Sequence, residues 1–229
     1  HHYSLEWVEL AKLTSDDRIL VVKKLPQDQE KPLRLPKVNL GGMKPIDIPE
    51  YVSDDLMRLF GYFLGDGSVR LANGKYWGVW FSEPKDGKYR SAYMQLLKQL
   101  FGLARIHEQP QKFAAISAPI AELFDRMGFH KKALEKTIPS WVFTQPAPLK
   151  AALIEGYCDA DGHRRPWEIG HRRPGWMCFE SPNKQLIGDF RALGMEVGLK
   201  VGNLNARTRQ TKLPSTGRIA TSTFWGFEA

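Results

Sequence analysis

The sequence predicts an α+β fold of two pseudo-twofold-related repeats, each ordered helix, hairpin, helix, hairpin, helix, with curved antiparallel sheets and a small N-terminal β segment. Three observations carry this expectation. Leu59-Phe60-Gly61-Tyr62-Phe63-Leu64-Gly65-Asp66-Gly67 and Ile154-Glu155-Gly156-Tyr157-Cys158-Asp159-Ala160-Asp161-Gly162 start 95 positions apart and share one layout: mostly apolar, small at the third and seventh positions, closing in Asp-Gly. In a helix those two positions lie one turn apart on one face. Gly61 with Gly65, and Gly156 with Ala160, therefore form smooth strips that let another backbone approach. The same succession of helical and strand-like patterns then follows each stretch.

The chain opens on His1-His2, which read as the remnant of a purification tag. Leu5 to Val22 holds Trp7, an Asp16-Asp17 turn and the strand-like run Ile19-Leu20-Val21-Val22. Pro26, Pro32, Pro36, Pro45 and Pro49 with Gly41-Gly42 then mark an extended linker. The expected organisation is 1–50 for this segment and linker, 51–145 for the first repeat and 146–229 for the second. Ser53 or Asp54 caps a helix running to Asp66. Strands at Ser68–Ala72 and Tyr76–Ser82 join at Asn73-Gly74, a hairpin signal. A helix at Tyr89–Phe101 places Tyr93, Leu96, Leu97 and Leu100 on one face. A second hairpin, Leu103–Gln109 with Lys112–Ser117, and a helix at Ile120–Met127 complete the repeat. The second repeat reads as a helix at 148–161, strands near 163–169 and 175–180, a helix at 183–194, and strands near 197–209 and 217–226.

Three glycines in two short helices, each costing about 1 kcal/mol relative to alanine, need a packing reason. The simplest is that the two strips pack against each other. That would bring Asp66 and Asp161 together at two helix C-termini, where each carboxylate faces the negative end of its helix dipole and repels the other. A divalent cation with oxygen ligands fits there best.

These residues resemble the LAGLIDADG homing endonucleases in the single-chain, two-repeat, intein-type form. The second stretch ends in that family's own Asp-Ala-Asp-Gly, while the first departs further in Leu64-Gly65-Asp66-Gly67. The resemblance implies a monomeric, sequence-specific double-stranded DNA endonuclease cutting across the minor groove to leave short 3′ overhangs. Asp66 and Asp161, with Gly65 and Ala160 beside them, would form the metal site. It would hold Mg²⁺, with Mn²⁺ able to substitute and Ca²⁺ binding without supporting cleavage. Glu135-Lys136-Thr137-Ile138-Pro139 resembles the Lys-x-Ile-Pro block between the motifs of intein-type members, which would place Lys136 near the scissile phosphate; a surface lysine before a turn is the plainer alternative. Lys85 and Lys184 are the candidates for a basic group at the end of each repeat's second strand. Residues 5–22 resemble the stretch preceding an intein's endonuclease, or else form a β appendage of other descent. The residues that splicing needs are absent: no nucleophile opens the chain and no His-Asn pair closes it.

The chain's 33 Lys and Arg against 25 acids give +8 and a pI near 9.4, suited to a polyanion. Candidate DNA contacts are Arg70, Lys75, Lys112, His163, Arg164, Arg165, Arg172, Arg173, Lys200, Arg207, Arg209 and Arg218. Alternate strand residues share a face, so Arg207 and Arg209 would point together. No stretch approaches the roughly 18 apolar residues of a membrane helix, and no signal peptide is evident, so an intracellular, cytoplasmic protein is expected. Cys158 and Cys178 lie on apolar runs and read as reduced thiols. Asp159, Asp161, Gly162 and Glu168 fit part of a calcium loop, but Tyr157 stands at its first ligand and Arg164-Arg165 crowd it. His163 and His171 lack zinc spacing. The competing function is a non-cleaving nucleic-acid binder of the same fold, an RNA maturase or a DNA-binding regulator.

Overall fold

The computed structural model describes residues 8–14, 16–17, 31–38, 46–165, 176–212 and 219–229. The expected strand at Ile19–Val22, with His171, Arg172, Arg173 and Arg218, lies outside the described residues; of Arg165 only the backbone is described.

Helix α1 spans Asp54–Asp66. Ser53 caps it, its hydroxyl accepting from the Leu56 N–H at 3.2 Å, and Asp54 and Asp55 complement the dipole in the first turn. Strands β1 (Gly67–Ala72) and β2 (Lys75–Phe81) turn at Asn73 and Gly74, whose φ of 50° and 73° are the left-handed pair that a two-residue hairpin requires. Helix α2 (Arg90–Phe101), strands β3 (His107–Gln109) and β4 (Lys112–Ala115), and helix α3 (Ala118–Arg126) complete the first unit. A short helix α4 (Ser140–Phe143) leads into α5 (Ala147–Ala160), β5 (Gly162–Arg165), β6 (Trp176–Ser181), α6 (Lys184–Glu196), β7 (Asn205–Lys212) and β8 (Ile219–Glu228).

Each unit forms a four-stranded antiparallel sheet with equivalent order, β1-β2-β4-β3 and β5-β6-β8-β7. This is the expected α+β architecture with repeated topology. One continuous core joins the units: Leu56, Phe60 and Phe63 of α1 and Leu153 and Tyr157 of α5 pack together with Phe81, Phe113, Phe179, Phe190 and Phe227. The small-residue strips meet as expected, Gly61 lying against the backbone of Leu153 and Tyr157, and Gly156 against that of Arg58 and Tyr62.

The starts of β7 and β3 differ most from the sequence reading. β7 starts at Asn205, because α6 runs on to Glu196 and Gly198, at φ 85°, ends it. The next residues pack irregularly, with Leu199, Val201 and Leu204 partly buried on the core and the Gly202 N–H donating to the Glu228 carbonyl at 2.7 Å. Likewise β3 is confined to His107–Gln109, since Leu103 and Ile106 pack on the core ahead of it. No helix among the described residues is long and apolar enough to cross a membrane.

Candidate nuclease site and nucleic-acid-facing surface

The α1–α5 contact carries two carboxylates to one place. Where the strips end, a Cβ on Gly65 would lie 2.5 Å from the Ala160 Cβ and 3.3 Å from the Asp161 carboxylate. Asp161 therefore lies against the last turn of the helix that ends in Asp66. Burial, then the Asp161 charge and then Glu83, push the Asp66 carboxyl up to about 7, and Lys136 opposes the rise. Partial burial among the helix ends raises Asp161 too, again against Lys136.

Lys136 lies at this junction, nearly buried at 6% exposure. Its Nζ donates to the carbonyls of Phe63 (3.1 Å), Leu64 (2.9 Å), Gly65 (3.3 Å) and Gly67 (2.8 Å). It thus satisfies the orphan acceptors at the α1 C-terminus and offsets the negative dipole end. Burial lowers its pKa to about 8, and the charges of Asp161 and Asp66 hold it from falling further. The second repeat fixes it in place. The Asn183 amide donates to the Lys136 carbonyl at 2.7 Å and to that of Ala133 at 3.2 Å, and Asp189 accepts from the Ile138 N–H at 3.0 Å.

Beside this junction lies an acid. Glu83, just past β2, is 8% exposed; it accepts from the Tyr62 hydroxyl and, at 3.0 Å, from the Tyr89 N–H. Lys85 is exposed in the following turn, its N–H on the Pro110 carbonyl at 2.8 Å. Lys184 opens α6, exposed, with its ammonium 4.3 Å from the Trp225 ring centroid. Among the described residues, the side chains whose charges bear on the Asp66–Asp161 pair from outside it are Lys136 and Glu83, and neither Lys85 nor Lys184 joins them.

Asp159, the first acid of Asp-Ala-Asp, has a different task. Its fully buried carboxylate accepts from the Arg58 guanidinium at 2.7 Å, from the Tyr93 hydroxyl at 2.8 Å and from Arg164. Burial pushes its pKa up, but the arginine and tyrosine hydrogen bonds outweigh that and hold it below the ordinary carboxylate range. It is thus held between α1, α2 and β5 by two arginines and a tyrosine. Among the described residues no group of three or more His, Cys, Asp or Glu side chains is arranged to hold a metal. What the helix ends do offer a cation is oxygen: two crowded carboxylates with raised pKa values, and the last carbonyls of α5. That donor set suits a hard divalent ion.

Strand alternation sorts the candidate basic residues. In the first sheet Val69, Val79, Phe81, Phe113 and Ala115 face the core. Arg70, Trp80, Lys112 and His107 therefore occupy the outer face. There the Arg70 guanidinium and the Lys112 ammonium lie 5.4 and 5.0 Å from the Trp80 ring centroid. The Trp80 indole N–H beneath them is buried with no acceptor among the described residues. Lys75 is exposed at the hairpin end. In the second sheet Phe179 and Phe227 face the core. His163, Arg207 and Arg209 are placed on the outer face, all exposed, with Arg209 paired to Glu180 at 2.8 Å. Two candidates do not join them. Arg164 falls on the core side, where it binds Asp159 and, at 3.2 Å, the Glu155 carbonyl. Lys200 is exposed in the coil before β7 and not on a strand.

The sequence reading missed Asn183, Glu83 and Arg58, and weighed Asp159 only as part of a calcium loop. Pro182-Asn183 before a helical pattern is a cap signal that could have singled out Asn183, whose side chain accepts from the Leu186 N–H at 3.1 Å. Asp159 stands where the first repeat has Leu64, and an acid in an apolar helix needs a cation from whatever it packs against.

No family model matches the chain. An iron–sulfur cluster assembly SufBD family protein of Mycobacterium leprae is 28% identical over 226 residues, 96% of this chain but 25% of its own length. A DNA polymerase of Thermococcus litoralis is 25% identical over 118 residues, 50% of this chain and 7% of its own. The chain thus spans about a quarter or less of the curated relatives it matches. Among solved structures, mesophilic variants of the homing endonuclease I-DmoI align at 12% identity over 76% of this chain and 88% of theirs, with a TM-score of 0.47. I-DmoI in complex with DNA and Ca aligns at 13% identity over 76% and 82%, with a TM-score of 0.45.

Proposed function

We propose that the chain is a divalent-metal-dependent, sequence-specific double-stranded DNA endonuclease of the two-repeat LAGLIDADG type. The observation that carries this reading is the convergence of Asp66 and Asp161 at the ends of two helices packed through glycine, between two sheets with cationic outer faces. Such a pair is electrostatically unfavourable without a cation. Asp66 and Asp161, with the Ala160 carbonyl at the end of α5, would hold the metal, whereas the Gly65 carbonyl expected from the sequence is taken by Lys136. When bound, it supplies Lewis-acid polarisation of the phosphate and of the attacking water. The chain's own residues do the rest. Lys136 brings a positive charge to the junction and offsets charge gathering on the phosphate. Asn183 and Asp189 hold the segment that carries it. The outer faces bind the duplex, mostly through phosphates.

Two relatives of unrelated named activity each share only a segment with this chain. That pattern is the one expected of an element inserted into different hosts, and with the resemblance of residues 5–22 it supports an intein-type origin.

Glu83 favours a second reading. An acid stands at the end of β2, where a basic group was expected, and it raises the Asp66 pKa further. A chain that binds DNA without cutting it would tolerate that. Incubation with a randomised duplex library and Mg²⁺, followed by sequencing of the cut ends and of the retained duplexes, separates the readings. Ends sharing one sequence support the endonuclease; an enriched but uncut sequence supports the binder; if no sequence is cut or enriched, both readings fall.

A further inference from the structure

The two outer sheet faces differ in chemistry. The second offers hydrogen-bond donors, His163, Arg207 and Arg209; the large exposed apolar side chain among the described residues of its sheet, Ile219, falls by alternation on the face of Phe227 and not on this one. The first is interrupted by a bulge. Arg70 pairs with Gly78 and Leu71 with Tyr76, so Trp77 has no partner across the ladder. A bulge re-aims the residue it releases. Trp77 turns towards Trp80, ring centroids 5.4 Å apart, and stays 43% exposed. Beyond β4 the alternation carries Ile116 onto this same face, 44% exposed, opposite Gly78. Gly78 between them has no room for a side chain, since a Cβ there would sit 2.5 Å from the Ala115 carbonyl oxygen, so the backbone itself floors the space between the two apolar groups. Around these apolar groups stand Arg70, Lys75 and Lys112, a rim that matches phosphate.

Large apolar side chains set within a cationic face match an apolar feature on a polyanion. In the major groove the thymine C5 methyl is that feature. We infer that Trp77 and Ile116 read thymine methyl groups, so that the half-site under the first sheet is recognised by apolar contact and the other half by hydrogen bonding. The inference rests on the proposed DNA-binding reading.

The test starts from the duplex that the full chain enriches from the library. Each thymine is replaced in turn by deoxyuridine, which removes only the methyl group. Burying one such group is worth about 0.8 kcal/mol, or about fourfold in affinity. Binding should weaken by about that factor at one or two thymines of one half-site. In Trp77→Ala, and independently in Ile116→Ser, the same replacement should cost nothing further at the matching position, while the other half-site behaves as in wild type. Equal deoxyuridine sensitivity in wild type and both variants overturns the inference, as does insensitivity throughout a bound target. A wild-type dimer that Trp77→Ala turns into a monomer, with no deoxyuridine effect, would overturn it too, placing the patch in a self-contact. Failure to enrich any duplex strikes the DNA-binding reading itself.

Discussion

Gly61 and Gly156 each press against the backbone of the opposite helix: a Cβ on Gly61 would lie 2.0 Å from the Leu153 carbonyl oxygen, and one on Gly156 1.9 Å from that of Arg58. Neither position has room for a single methyl group, and what blocks it is backbone, which cannot rotate aside. Gly61→Leu should therefore destabilise the protein by about 3 kcal/mol or more through overpacking. Chemical denaturation measures it, and an unchanged midpoint would show that the helices separate at little cost.

Asp159 ties α1, α2 and β5 to one buried carboxylate. Asp159→Ala removes the acceptor of Arg58, Tyr93 and Arg164 together. The two guanidiniums, at 43% and 35% exposure, can return to water, which limits the destabilisation to about 2–3 kcal/mol. Denaturation midpoints check this, with Asp159→Asn expected between the two because it keeps the shape and part of the hydrogen bonding.

The Asp66 carboxyl gives the metal-free protein a pH dependence. With its folded pKa near 7 against an ordinary 3.8, the folded state holds more protons than the unfolded state between those values, so stability falls as pH rises from about 5 to 7. Asp161, also raised, adds in the same direction. A divalent metal favours the ionised pair and should restore stability most at the upper end. Melting in chelator and in Mg²⁺ at pH 5 and 7.5 measures both effects. Asp66→Asn should flatten the chelator slope, and a slope unchanged by that variant would contradict the assignment.

Arg207 and Arg209 test whether the outer face of the second sheet meets phosphate. Log affinity should fall with log salt by roughly 0.9 per phosphate neutralised. Replacing both by Ala should make that slope shallower in proportion to the phosphates these two side chains neutralise. Arg207 should contribute more than Arg209, whose charge is already met by Glu180. An unchanged slope in the double variant would place both outside the interface.

Much of the frame was legible because it depends on local spacing. The Gly61/Gly65 and Gly156/Ala160 strips, the Asn73-Gly74 turn and the apolar helix faces are each written within ten residues or so, and the repeat lets one half confirm the other. The irregular stretch before β7 was not legible, because Leu199 and Val201 alternate as a strand would, yet they and Leu204 pack on the core as coil. The surroundings of Asp159 were hidden for another reason. Its partners Arg58 and Tyr93 lie 101 and 66 residues away, and no local pattern announces such a meeting. Arg164 lies only five residues from Asp159, and it was misplaced for another cause: an arginine on a strand looks like a surface cation until a buried carboxylate claims it.

Asp66 and Asp161 are proposed to perform the chemistry and not merely to support the fold. On the duplex enriched from the library, wild type, Asp66→Asn and Asp161→Asn are compared for affinity and for double-strand cleavage in Mg²⁺. Affinity should stay within a few-fold of wild type and double-strand cleavage should be lost in both variants, because the amide keeps the shape of the side chain but not the charge that holds a metal. Double-strand cutting that persists in Asp161→Asn with Mg²⁺ would contradict it.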